Sequence, residues 1–319
     1  MEWKDVFPVL AGGLVILVVA LIVKPALLGG PIGLGAPTSA PVPAPPGYVP
    51  PTSAPATTPF PEDGPAYTQN FRWTSIDGGV HTTEVRVPEA LFLEHRETSR
   101  FADPLAWGRY ALAEEDRPVL EDLARGIAPP TQNPEEEYFR LMNVVFFVQQ
   151  IPYEYDNRTQ SYTEGVLPRY ARHVGDDVEY PKYPAEMLVD GKGDCEDSAI
   201  LMAGLLDALG YDTVLLSYSD HMALGIRMDE FNPYYAKYTP KYFAYEGKHY
   251  YYVEGTNYYG GNISADSLVR QGRPFPIGNT QDGSIQSVKS ETPKILPLRY
   301  IPAPAEHRIR PARLPAGGA

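Results

Sequence analysis

Proline placement sets the first limit on what this chain folds into. Its 34 prolines crowd into residues 25–66 and into the stretch after about residue 290. Proline has no N–H and a fixed φ, so it interrupts helices and sheet ladders alike. Packed structure is therefore expected in the middle of the 319 residues, where a chain that is 43% hydrophobic and 12% aromatic has enough apolar material for a real core.

Ahead of the first proline cluster, Val6 to Val23 is an uncharged run of 18 residues, VFPVLAGGLVILVVALIV. Crossing a bilayer takes roughly 17–25 such residues, so residues 1–24 are expected to form an N-terminal membrane anchor. The competing reading, a cleaved signal peptide, calls for a shorter apolar region of about 7–15 residues. After Lys24 no Lys or Arg occurs until Arg72, which suits a segment moved across the membrane. Residues 25–66 read as an extended Pro/Ser/Thr-rich linker, and sequons at Asn157 and Asn262 permit glycans. The expected location is the cell membrane, with the bilayer contacted through residues 6–23 and the body outside the cytoplasm.

A formal net charge of −13 argues against nucleic acid as a partner. Residues 281–319 read as a basic, proline-rich tail, with six basic residues against two acids from Lys289 onward. A single cysteine, Cys195, excludes an intramolecular disulfide.

Residues 67–130 read as an accessory subdomain. Two β-rich runs flank Asp77-Gly78-Gly79 and predict a hairpin; helical patterns follow at Pro88–Thr98 and Pro118–Ile127. Residues 131–280 read as the main domain. Asn133-Pro134 with Glu136 opens a helix on which Tyr138, Leu141, Val145 and Val148 fall at helical spacing. A tyrosine-rich polar connection then runs from Ile151 to Pro184, long enough to face a substrate. Next come an apolar helix from Cys195 to a terminating Gly210, two strand-like runs at 212–219 and 221–228, and an aromatic strand ending at Glu254.

Chemistry concentrates in GKGDCEDSAILMAGLLDALG, which begins at Gly191. Asp194 as N-cap puts Cys195 in the first helical turn, where exposed N–H groups favour a nucleophilic thiolate. Asp194, Glu196 and Asp197 oppose that charge, so the cysteine needs a cationic partner. Of His81, His95, His173, His221, His249 and His307, only His221 opens a strongly apolar strand next in sequence to the helix. A histidine acting as base needs its second nitrogen held, and Glu254 ends the following strand. The order Cys, His, acid, with gaps of 26 and 33 residues, suits nucleophilic acyl transfer. Glu196 and Asp197 read as helix-start charges, with a calcium site as the alternative. No cofactor is needed, and zinc is not expected where one cysteine and scattered histidines must supply three or four ligands.

The segments GDCEDSAILMAGLLDALGYDTVLLSY, HMALGI and YYYVEGT resemble the transglutaminase-like superfamily, whose core is shared with papain-type cysteine peptidases. FVQQIPYEYD and EYPKYPAEMLVDG resemble its membrane-linked microbial members. The resemblance covers residues 133–260, with Phe71 to Ile127 matching more loosely. It implies an α+β fold in which a helix-borne cysteine packs on an antiparallel sheet. It further implies Cys195 as nucleophile, His221 as general base and acid, and Glu254 as orienting carboxylate. The family's third motif is most often Asp followed by Pro-Thr, where this chain has Glu254-Gly255-Thr256. The function that follows is an extracytoplasmic thiol amide hydrolase acting on a peptide, protein or cell-wall glycopeptide. Transamidation and a non-catalytic binding role are the alternatives.

Overall fold

The computed structural model describes residues 64–101, 103–131, 134–156, 172–174, 177–229, 231, 238–256, 275–280 and 285–299. The predicted anchor, nearly all of the linker, Asn133, both sequons and the tail beyond residue 299 lie outside them. No helix among the described residues is long and apolar enough to cross a membrane.

β1 (Ala66–Thr74) and β2 (Val80–Pro88) form the predicted hairpin, paired from Ala66 opposite Pro88 to Thr74 opposite Val80. The turn closes through Asp77, whose Oδ1 accepts from Ser75 Oγ at 2.5 Å and Gly79 N–H at 3.0 Å. α1 (Glu89–Glu97), α2 (Gly108–Ala111), α3 (Arg117–Ile127) and α4 (Pro134–Gln149) follow. α3 buries Leu120, Leu123, Ala124 and Ile127, the spacing of a single apolar stripe. This half of the chain, read above as accessory, shares one continuous core with the rest: Trp73, Val85, Phe92 and Leu123 join Leu201 and Leu224. Hydrogen bonds tie the hairpin to later elements, from Trp73 Nε1 to Asn143 Oδ1 (2.7 Å) and from Gln69 Nε2 to the Val189 carbonyl (2.6 Å).

β3 (Arg172–Val174) and β4 (Asp177–Glu179) make a short antiparallel pair. After them come α5 (Pro184–Asp190) and α6 (Cys195–Ala208). Every residue of α6 from Glu196 to Leu206 is buried. A helix apolar around most of its girth must be enclosed, and α6 packs against α2, α3, α4 and α5 and against β5 (Thr213–Ser217) and β6 (Met222–Arg227).

β7 (Tyr242–Tyr245), β8 (Lys248–Val253), α7 (Gln286–Ser290) and β9 (Lys294–Pro297) complete the described chain. The strands build a five-stranded antiparallel sheet in the order β7-β8-β6-β5-β9, giving an α+β architecture. Alternation along the strands sends Leu215, Leu224, Ile226, Tyr251 and Val253 into the core with α6. Val214, Leu216, Ala223, Tyr250 and Tyr252 go to a second cluster that includes Val288 of α7. Here the structure corrects the sequence reading, since residues 285–299 were expected to begin an unpacked tail. Instead Leu296 and Leu298 are buried and β9 is an edge strand, a position where Pro297 removes no interior ladder bond.

Candidate active site

The stretch from Gly191 to Asp197 is a sequence of backbone requirements. Gly191 ends α5 in the left-handed conformation at φ 65°, which glycine adopts without strain. Gly193 then lies beside Tyr153 as a parallel bridge, its N–H bonded to Pro152 O at 3.2 Å and its carbonyl accepting from Glu154 N–H at 3.0 Å. A Cβ at residue 193 would stand 2.7 Å from Asp197 Cβ, so only glycine lets the helix start here. Asp197 Oδ2 accepts from the Asp194 N–H at 3.3 Å and closes a capping box, which makes Cys195 the first residue of α6. The first N–H groups of a helix have no intrahelical acceptor, so the backbone around the thiol presents free donors.

The structure brings Cys195, His221 and Glu254 together. Cys195 is half-buried; its thiol donates to Glu196 Oε2 at 3.3 Å and is within hydrogen-bonding reach of the His221 ring. The antiparallel register, with Leu224 opposite Val253, sets the start of β6 beside the end of β8. His221 Nε2 consequently stands 3.2 Å from each carboxylate oxygen of Glu254, leaving Nδ1 as the nitrogen for the thiol. Burial favours a neutral imidazole, but Glu254 and Cys195 outweigh it and raise the His221 pKa to about 10. Burial likewise pushes the Glu254 carboxyl up. His221, Tyr252 and Thr256 more than offset that, and its pKa stays below the usual carboxylate value.

Three residues that hold this arrangement were not singled out in the sequence. Tyr252 OH donates to Glu254 Oε2 at 2.5 Å, and Thr256 donates its N–H (2.8 Å) and Oγ1 (2.9 Å) to Oε1. Gln149, buried at the end of α4, bonds the carbonyls of Glu254 and Phe275, each at 2.9 Å, and accepts from Phe275 N–H at 2.7 Å. The one sequence cue for Gln149 is an amide closing the apolar run Val144–Val148. Gly255 passes against α6, where a Cβ would meet Ser198 Cβ at 3.1 Å and Ala199 N at 3.3 Å, leaving little room for a side chain after Glu254.

Asp197, expected to be a helix-start charge, is a buried anchor. It accepts from the Lys182 backbone N–H at 2.7 Å and from Lys182 Nζ at 2.5 Å, and Lys182 also reaches Asp156 Oδ1 at 3.4 Å. Burial, reinforced by neighbouring carboxylates and opposed by Lys182, holds the Asp156 and Asp194 carboxyls well above their usual range. His81 stacks on Trp73, His249 packs on Tyr242, and His95 bonds Asp116 at 2.5 Å. These rings are engaged away from the thiol. The His173 side chain and His307 lie outside the described residues.

Residues 127–229 match a family model described as a transglutaminase-like domain; the match includes Cys195 and His221 and ends before Glu254. No curated protein matches the chain. Residues 127–229 are thus similar to the transglutaminase-like domain, a type of domain found in cysteine-based hydrolases and transamidases.

Proposed function

We propose that the protein is a thiol amide hydrolase in which Cys195 is the nucleophile, His221 the proton carrier and Glu254 the carboxylate that orients it. The observation that carries this reading is His221 Nε2 fixed at 3.2 Å from both oxygens of a buried glutamate while the ring reaches a thiol at a helix start. In the first step Cys195 Sγ attacks the amide carbonyl as its proton passes to His221. The oxyanion is met by the free N–H of Cys195. His221 returns the proton to the departing amine, leaving a thioester. Water, deprotonated by His221, then attacks the thioester; the carboxylic acid leaves and the thiol is restored. The test is to incubate the full-length protein with a peptide and wall-polymer panel and a labelled primary amine, and to compare free acid with amide product by mass. Free acid as the main product is expected. Predominantly amide product would make the protein a transamidase, and no product of either kind would support a binding role.

His221 also predicts the pH dependence. Its protonated form pairs with the thiolate and supplies the proton to the leaving amine, so kcat/KM is expected to fall as pH rises through about 10. Coulombic attraction to Glu254 is the largest of the effects that raise this pKa, so Glu254→Gln should move the alkaline limb down toward the ordinary histidine range near 6.5. An alkaline limb at the same pH in wild type and Glu254→Gln would contradict the assignment.

The proposed workplace is the outer face of the membrane, supported by the uncharged run at 6–23 and the absence of Lys and Arg from residues 25 to 71. Protease added to intact cells is expected to cut the linker and release a soluble body. Protection until lysis would reverse the orientation.

A further inference from the structure

We propose that Lys182 is a positioning residue for the nucleophile: its buried ammonium, clamped to Asp197, fixes the start of α6 and supplies there the positive charge that keeps a thiolate at Cys195 among acidic neighbours. This role deepens the reading of Cys195 as nucleophile and rests on it. The contacts are direct. Lys182 Nζ donates to Asp197 Oδ2 at 2.5 Å and its backbone N–H donates to Oδ1 at 2.7 Å, so one residue engages both oxygens of the cap. The same Oδ2 accepts from the Asp194 N–H at 3.3 Å, the bond that makes Cys195 the first residue of α6. Turning the Asp197 carboxylate would break all three bonds, so Lys182 holds the thiol in place through Asp197.

Stability alone does not account for the pair. The Lys182 side chain is fully enclosed, a state that lysine almost never adopts unless paired. Exchanging a buried ion pair for apolar residues of like volume is often neutral or stabilising, so an apolar pair would join the connection to the helix equally well. What it would not supply is charge. Burial alone would take the proton from Lys182, but Asp197, Asp156, Asp194 and Asp190 hold it there and keep the pKa well above the ordinary lysine value. The ammonium therefore persists throughout the working pH range. The groups that bear on the thiol are Asp194, Glu196 and Asp197 of the helix start, Tyr153 and Asp156 of the connection after α4, Tyr252 of β8, and His221 with Glu254 behind it. Lys182 and His221 are the cations in this set. His221 gives up its charge each time it passes its proton on, whereas Lys182 does not.

The test is iodoacetamide alkylation of the full-length protein across pH, which reads Cys195 alone because the chain has a single cysteine. Thermal melts show that each variant is folded. Lys182→Met keeps the length of the side chain and the backbone N–H but not the charge. It is expected to move the alkylation profile up by about one pH unit, the lower end of what a neighbouring charge does. Asp197→Asn leaves the ammonium without its nearest counter-charge and should move the profile down. Both variants lose the ion pair and both should melt below wild type, so a merely structural pair would shift the two profiles together or not at all. Should Lys182→Met fail to fold, Lys182→Gln, which can still donate to Asp197, takes its place. Profiles that coincide with wild type, or that move in the same direction for the Lys182 and Asp197 variants, overturn the proposal. Alkylation needs no turnover. Opposite shifts in a protein that cleaves no amide would uphold the charge role and sink the hydrolase reading, and unmoved profiles in a protein that does cleave would do the reverse.

Discussion

Replacing Cys195 with alanine is expected to lower amide-bond turnover by about 10⁴- to 10⁶-fold, the scale on which removal of a covalent nucleophile acts, while shifting the Tm by only a degree or two. The second half of that expectation follows from the packing. The side chain is small and half-buried, and its bond to Glu196 involves a weak S–H donor. His221→Ala should cost a similar factor, and the double variant little more than either single one, because residues acting as a unit are not additive. Single-turnover assays of the full-length protein, alongside thermal melts, read both quantities. Cys195→Ala turnover within tenfold of wild type would place the chemistry elsewhere.

Glu186→Ala is expected to destabilise the fold by about 3–5 kcal/mol, as removal of one partner from a buried ion pair does, and to lower the Tm by roughly 10 °C or more. Glu186 is fully buried. It accepts from Arg96 Nη1 (3.1 Å), Arg100 Nη2 (2.5 Å), Tyr180 OH (2.6 Å) and the Tyr183 N–H (2.8 Å). Arg96 keeps Asp190 at 2.6 Å when the glutamate goes. Arg100 keeps the carbonyls of His95, Thr98 and Pro181 and the Tyr180 hydroxyl, all neutral acceptors. Its charge is then buried without a counterion. Burial alone would raise the Glu186 carboxyl, but Arg100 and Arg96 hold it below its usual value. Its contribution is therefore complete above the ordinary carboxylate pKa and is lost as pH falls through the depressed folded value. The gap between wild type and Glu186→Ala should accordingly narrow in acid. A variant melting within a degree of wild type at neutral pH would show that this cluster does not hold α1 to α5.

Much of the architecture was legible because local signals agreed with tertiary demands. The Asp77-Gly78 turn, the stripe on α3 and the Asp194–Asp197 cap each follow from chemistry within a few residues. The elements that escaped are those whose reasons lie far along the chain. α5 is seven residues long and buried from Pro184 to Val189, so it shows no polar face for a helical period to reveal. The connection before it, Ile151 to Pro184, was read as substrate-facing, although Tyr180 and Lys182 within that connection are fully buried. β9 was hidden by Pro293 just before it and Pro297 at its end. At the site, Cys195, His221 and Glu254 were nominated by order and resemblance. Tyr252, Thr256 and Gln149 were not, because a hydroxyl or amide that holds a carboxylate looks like any other until the strands are in register. Asp197 was misread for the same reason, its partner Lys182 standing fifteen residues upstream.

The position of β9 gives the fold a chronology. β5 has β6 on one side within a few residues of being made, but its other edge waits for Lys294–Pro297, some eighty residues later. Throughout that interval Val214 to Ser217 offers an unpaired ladder to any other extended chain. A ribosome that stops short of residue 294 therefore releases a polypeptide with both Cys195 and His221 already made but with a sticky strand beside them. Such fragments should be found in aggregates, and a synthetic peptide spanning residues 285–299 should return them to solution.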